Sequence, residues 1–190
     1  MNAVDDNVRS QEGGGDTTFF DEFSRHWADR SGKLARERSL PKGALLFSQG
    51  DDSDGLFIIK DGRAKVYISD DTGKEMVIAI LGPGEVVGEI ASLDGEVRTA
   101  SVAALEPCSV LHIAQNDFKG FLSENHELAF EIIQVLTRRI RSYAASVSNL
   151  AFKNVYERIV TVLEQNSEEQ ENGTRVMKGA FTHQDFADMV

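Results

Sequence analysis

From Leu40 to Ala114 apolar and polar positions alternate in short segments such as ALLFSQ, GLFIIKDGRAKVYI, KEMVIAIL, TASVAAL and EPCSVLHIA, punctuated by PKG, GDDSDG, DDTG and GPG. Successive side chains on a strand point to opposite faces, so this pattern predicts many short strands with glycine turns between them. A sandwich or closed β-roll follows. KDG, in the middle of the second segment, reads as the turn of a hairpin joining GLFIIK to RAKVYI. Beyond NDFKGFLSENHE the period becomes helical, with Ile133, Leu136, Ile140, Tyr143, Val147 and Leu150 recurring at steps of three and four. Ile133, Ile140 and Val147 then share one core position of a heptad and Leu136, Tyr143 and Leu150 the other. β-branched residues at the first and mostly Leu at the second favour a parallel two-stranded coil, so the chain is expected to be a homodimer with these six residues at its interface. The stripe could instead pack on its own β-roll. A second apolar side, through Leu128, Ile132 and Val135, would let one long helix do both.

The flanking segments change the picture at both ends. Residues 1–16 are polar and acidic, with Gly13, Gly14 and Gly15 in succession, and are expected to form a disordered arm. Phe19, Phe20, Phe23 and Trp27 fall at helical spacing and predict a short helix packed on the unit that follows. SNLAFKNVYERIVTVLEQ continues as helix, with a hinge expected near Phe152 because the heptad phase fails at Asn154. NSEEQEN reads as a solvated loop and TRVMKGA as strand-like. THQDFADMV opens with Thr182 and Asp185 in a capping-box arrangement, and Phe186, Met189 and Val190 supply an apolar side. The resulting class is α+β: an arm over 1–16, a β-roll over 17–126, a dimerisation helix over 127–152 and a small unit over 153–190.

Candidate chemistry concentrates in GPGEVVGEIASLDGEVRTASVA, from Gly82 to Ala103. Gly82 and Gly84 around Pro83 make a turn, and Gly88 lets backbone approach a ligand just where GEIASL starts a short helix. Arg98 and Thr99 then bring a fixed positive charge and a hydroxyl to the same place. Arginine suits phosphate because its planar fork binds two oxygens at once. Glu89 would repel a phosphate that it touched, so its useful position is further out, accepting hydrogen bonds from a sugar hydroxyl. A ribose phosphate satisfies all three groups. The bland alternative is a glycine-rich hairpin with an ordinary Glu to Arg surface pair.

Gly88, Glu89, Ile90, Ala91 followed by Arg98, Thr99, Ala100 resembles the phosphate-binding cassette of cyclic-nucleotide-binding domains, and the spacing of Gly43, Gly50, Gly62, Gly73, Gly82 and Gly88 resembles their jelly roll. With NLAFKNVYERI similar to the hinge and first helix of a DNA-binding domain and FTHQDFADMV similar to the first helix of a helix-turn-helix, the chain resembles the bacterial transcription regulators typified by the catabolite activator protein. The resemblance implies a cyclic-nucleotide-binding roll, a dimerisation helix and the start of a winged helix-turn-helix domain. It implies that Glu89 holds the ribose 2′-hydroxyl, that Arg98 and Thr99 hold the cyclic phosphate with amides near Ile90 and Ala91, and that Arg139 braces the cassette acid and phosphate. Tyr143 and Ala144 stand where well-known relatives place two hydroxyl residues against adenine. Alanine offers no hydrogen bond, and Tyr143 would either stack on a purine or fill space. Thr99 also resembles a threonine that cyclic-GMP-selective domains use, so cyclic AMP and cyclic GMP both remain candidate allosteric ligands. Expected partners are a second copy, operator DNA for a longer chain, and RNA polymerase. The chain as given ends before a recognition helix, and is expected not to bind operator tightly by itself.

Composition narrows the alternatives. At 190 residues with 41% hydrophobic content, the chain can build one good core or two small ones. No apolar run reaches the roughly 20 residues of a membrane helix and MNAVDDNVRS has no signal-peptide pattern, so a cytoplasmic, membrane-free protein is expected. The net charge of −11 opposes a surface-wide nucleic-acid platform. A single cysteine, Cys108, excludes an internal disulfide and reads as a small core residue. Scattered His26, His112, His126 and His183 leave a haem-based gas or redox sensor of the same architecture as the alternative, beside a regulator whose pocket is vestigial. No paired carboxylates, activated nucleophile or metal-ligand spacing suggests an enzyme or a metal site. The helix-turn-helix-like end argues against a kinase regulatory subunit or a channel domain.

Overall fold

The computed structural model describes residues 35–170, 173–177 and 181–190. The expected arm over 1–16 and the aromatic helix of Phe19 to Trp27 lie outside the described residues. Two four-stranded antiparallel sheets make the body of the molecule. One is ordered β1 (Ala35–Leu40), β8 (Cys108–Ala114), β3 (Gly55–Asp61), β6 (Val86–Val87). The other is ordered β2 (Leu45–Phe47), β7 (Ser101–Ala104), β4 (Ala64–Ser69), β5 (Glu75–Leu81). This is the β-roll that the two-residue period implied.

Strand β3 shows why the run GLFII is apolar throughout. Phe57 and Ile59 face the inter-sheet core with Leu46, Val66, Val102 and Val110, whereas Leu56 and Ile58 face the helices. A strand buried on both faces needs apolar side chains at every position. β7 is buried throughout in the same way, although TASVAAL had read as alternating. The helical layer consists of α1 (Glu89–Asp94), α2 (Gln115–Glu124) and the long α3 (His126–Phe152). Phe118 and Phe121 of α2 and Leu128 and Ile132 of α3 close the second core over Leu56, Ile58 and Ile113. Each such side chain stabilises the fold by about 1.5–3 kcal/mol when fully buried.

Two sequence expectations are corrected. KDG is not a hairpin turn, because β3 and β4 belong to different sheets; β4 pairs with β5 and β7 instead. The chain crosses between sheets there because Gly62 passes hard against the opposite backbone: a Cβ would lie 2.3 Å from the Pro107 carbonyl oxygen, and φ is +77°. Gly62→Ala is therefore expected to cost about 1–3 kcal/mol through left-handed strain alone, more if the crossing must open, as read from urea unfolding. NSEEQEN is not all loop. Ser167–Glu169 forms β9, paired antiparallel with β10 (Arg175–Met177), and Arg175 Nε donates to Ser167 Oγ at 3.0 Å.

At the C-terminal side, α3 stops at Phe152, and α4 (Val155–Gln165) starts afresh with Asn154 and Glu157 in a reciprocal capping box. This break falls where the heptad phase fails. Thr182 and Asp185 make a second capping box at the start of α5 (His183–Met189).

Candidate functional site

The site grows from a turn that only glycine tolerates. Gly88 precedes α1 at φ +82°, and a Cβ there would sit 2.4 Å from Arg98 Nη1. Its carbonyl oxygen accepts from Arg98 Nη1 at 3.0 Å and from the buried Ser92 hydroxyl at 2.8 Å. The loop between β2 and β3 clamps Arg98 from the other side: Arg98 N donates to Asp51 O, and Gly50 N donates to Arg98 O, both at 2.8 Å. Beneath the guanidinium lies the Phe47 ring, 4.2 Å away, and Nη2 pairs with Asp54 Oδ1 at 3.0 Å.

Arg98 is only 2% exposed, and its Nε is buried without a hydrogen-bond partner. An unsatisfied buried donor on a charged group is costly, and such a group in a native fold calls for an explanation. Burial pulls the Arg98 pKa down; Asp54 foremost, then Asp51 and Glu89, oppose that shift. The Asp54 side chain is 67% exposed, so the one carboxylate paired with the fork belongs to a solvent-facing loop.

Glu89, at the first turn of α1, is 1% exposed. Arg139 of α3 reaches over the roll to it, with Nη1 donating to Glu89 Oε1 at 2.5 Å and Nη2 donating to the Val86 carbonyl. One turn further along α3, Tyr143 is half-buried, and burial pushes its pKa up. These groups line one concavity of about 450 Å³, counting space open to solvent, together with Phe47, Val66, Ile78, Ala79, Leu81 and Val102. The structure brings all the candidate ligand residues to it: Gly88, Glu89, Ile90, Ala91, Arg98, Thr99, Arg139 and Tyr143. Thr99 stands at its exposed rim.

The arrangement fits a ribose phosphate in its chemistry. A buried guanidinium with an unpartnered Nε suits an anionic oxygen, a buried carboxylate suits a hydroxyl donor, and the apolar strands offer a wall for a flat base. Phe47 and Asp54 were missed by sequence reasoning, because nothing local in FSQGDDSD says that this loop folds over Arg98. His112, considered as a haem ligand, stacks on Phe57 at 4.8 Å with Nε2 3.4 Å from Asp54, and Cys108 is buried in the inter-sheet core.

The dimer candidates divide. Ile133, Ile140, Val147 and Leu150 are 49–67% exposed on the single chain. Leu136 packs partly on the helix-covered core and Tyr143 faces the concavity.

Residues 37–125 match the family model described as "Cyclic nucleotide-binding domain". The chain is similar to the Cyclic AMP receptor protein of Thermus thermophilus, at 29% identity over 128 residues, covering 67% of this chain and 59% of the relative. It is similar also to the cAMP-activated global transcriptional regulator CRP of Salmonella typhimurium, at 32% identity over 124 residues, covering 65% of this chain and 59% of the relative. Both alignments thus span 59% of the relative's length. Among solved structures, the c-di-GMP responsive regulator CLP of Xanthomonas campestris superposes with a TM-score of 0.71 at 23% identity, covering 92% of this chain and 84% of that one, a likeness of fold.

Proposed function

We propose that the chain, which matches the cyclic nucleotide-binding domain over residues 37–125 and is similar to the regulators above, belongs to the catabolite activator protein and fumarate–nitrate regulator family of transcription regulators and is the sensing part of a homodimeric regulator that binds a cyclic nucleotide in the concavity under α3. The observation that carries this reading is the buried Arg98 fork with its unpartnered Nε, lining the same concavity as the buried Glu89 carboxylate. Arg98 with Thr99 would take the cyclic phosphate, Glu89 the ribose hydroxyl, and the α1 backbone at Ile90 and Ala91 would support the phosphate. Arg139 would hold Glu89 aimed at that hydroxyl. Tyr143 and the β4–β5 wall would meet the base, by stacking and apolar contact. The chain's role is regulatory, without catalysis.

In this reading the roll over 17–126 senses, the helix over 127–152 dimerises through its exposed stripe, and 153–190 begins the unit that would contact operator DNA. RNA polymerase is a further partner in keeping with transcriptional control, and the cytoplasm is the compartment where these partners meet. Among the described residues no helix is long and apolar enough to cross a membrane.

Calorimetric titration with cyclic AMP, cyclic GMP and 5′-AMP tests the reading. The cyclic esters carry one negative charge and the open nucleotide nearly two. A site whose lining holds one guanidinium with an unpartnered nitrogen together with the carboxylate of Glu89 favours the monoanion. Binding of a cyclic ester at least about tenfold tighter than 5′-AMP, a difference of about 1.4 kcal/mol, is the expected result. No heat and no stabilisation with either cyclic ester would remove the ligand reading.

A further inference from the structure

Asp54 stands between two cationic side chains. Its Oδ1 accepts from Arg98 Nη2 at 3.0 Å, and its Oδ2 lies 3.4 Å from His112 Nε2. The second approach is too long for a settled hydrogen bond, and His112 Nε2 is buried without a partner, as Arg98 Nε is. The imidazole is held there by shape. It stacks on Phe57, its cross-strand neighbour on β3, with ring centroids 4.8 Å apart. Gly55 leaves the room it occupies, since a Cβ there would come 2.9 Å from His112 Nε2. The Asp54 backbone is fixed as well, its carbonyl accepting from Gln115 N at 3.2 Å. Phe57 lies 5.8 Å from the Arg98 guanidinium, so His112 and Arg98 share one ring and one carboxylate. The charges around them come from three elements. The β2–β3 loop brings Asp54 and, acting on Arg98, Asp51; the cassette brings Arg98; β1 brings Arg36, directly opposite His112, and Arg38, 5.6 Å from the Phe57 ring. On the other face of β8, Ile113 is covered by Phe118 and Phe121 of α2.

We propose that His112 is a positioning residue for the phosphate site, acting through Asp54: a proton on the imidazole draws the Asp54 carboxylate towards Nε2 and frees the Arg98 fork for an anionic ligand. The proposal rests on the ligand reading above and adds the proton as a second input to that site. Imidazole is the side chain whose ordinary charge change falls between about pH 5 and 8. Neutral, it offers Asp54 either one N–H or, in the other tautomer, a lone pair aimed at a carboxylate oxygen. Charged, it carries hydrogen on both nitrogens, and Nε2 can only donate. The Asp54 side chain is largely exposed, so its move towards Nε2 costs little. Arg98 is buried, so an Nη2 that Asp54 has left is shielded from water and better satisfied by a ligand oxygen. The added positive charge favours an anion on its own account. Both effects have the same sign. Linkage makes the coupling mutual: a bound anion must raise the proton affinity of His112 by the factor by which the proton tightens the ligand. Affinity therefore rises as pH falls through the titration midpoint of the liganded chain and levels off below that of the free chain.

Calorimetric titration with cyclic AMP between about pH 8 and about pH 5.5, beside the His112 ring-proton signals in NMR spectra, tests this on the full 190-residue chain. Cyclic AMP keeps one negative charge over that range. Affinity is expected to rise about three- to tenfold on acidification, the range for one charge placed several ångströms from the ligand in a partly solvated site. His112→Gln cannot titrate and should flatten the profile, whereas His126→Gln, at an exposed position on α3, should keep it. A profile that survives His112→Gln belongs to another group, Glu85 first, whose carboxyl burial pushes up, and overturns the proposal. The NMR titration needs no change at position 112, so it decides even where that variant fails to fold. Saturating cyclic AMP should move the His112 midpoint to higher pH, and Asp54→Asn should move it to lower pH. A midpoint that the ligand leaves in place or moves to lower pH overturns the coupling. A chain that binds neither cyclic AMP nor cyclic GMP at any pH would remove the ligand reading and the coupling together; a midpoint still lowered by Asp54→Asn would then leave only the pairing of His112 with Asp54.

Discussion

Arg98→Ala is expected to reduce cyclic-nucleotide affinity by a hundredfold or more while leaving the stability of the roll nearly unchanged. Charge-assisted hydrogen bonds contribute about 1.5–3 kcal/mol each, and two of them from one fork correspond to at least that factor. The stability half of the expectation comes from the surroundings of the guanidinium. Its ion-pair partner Asp54 is 67% exposed on the side chain, so the freed carboxylate returns to water at little cost. The buried Nε already lacks a partner, so the residue brings a desolvation penalty that alanine removes. Loss of the bond to Gly88 O and of the contact with Phe47 offsets that gain. If Arg98 were only a structural strut, the same change would lower the urea midpoint and leave ligand affinity alone. Calorimetry and urea unfolding on one preparation separate the two roles, and Arg98→Lys, which keeps the charge and loses the fork, should fall between.

What the sequence made legible divides by range. Gly88, Glu89 and Arg98 were readable together because a tight turn and a short helix bring them close by local geometry. Arg139 was different. From its own surroundings it reads as a solvated helix arginine beside Arg138, and only family resemblance pointed it at Glu89, which it reaches across half the roll. Asp54 and Phe47 had no signal, since a loop that folds over a side chain from another strand leaves no periodic trace. The KDG error has a related cause: a glycine turn between two strand-like runs is the same pattern whether the second strand returns beside the first or passes to the opposite sheet. Deciding between them takes the contact of Gly62 with Pro107, which is tertiary. Strand β9 was hidden because its acidic residues are exposed and alternate with nothing.

Ile140→Glu is expected to convert a dimer into monomers that remain folded. On the single chain Ile140 is 67% exposed, and with Ile133, Val147 and Leu150 it forms a stripe on α3 that the roll does not cover. Contiguous apolar surface of this kind marks an association site. Burying the exposed part of each such side chain against a second copy contributes about 1–2 kcal/mol, and four on each helix supply the apolar centre that a pair needs. The inward side of the same helix is occupied: Leu128 and Ile132 are buried, Leu136 is half-covered, and Arg139 is bonded to Glu89. Two copies paired through the outward stripe would therefore bring their concavities to either side of the joint helices. A glutamate at position 140 would set two carboxylates face to face in a desolvated seam, which costs several kcal/mol and dissociates the pair. In the monomer that glutamate faces water, so the roll should keep its urea midpoint, in contrast to Ile132→Glu, which would put a charge into the helix-covered core and unfold it. Sedimentation of the parent and both variants reads the outcome. A parent that sediments as a monomer at every concentration, or an Ile140→Glu variant that sediments as a dimer, would show that this stripe is not the joint between two copies.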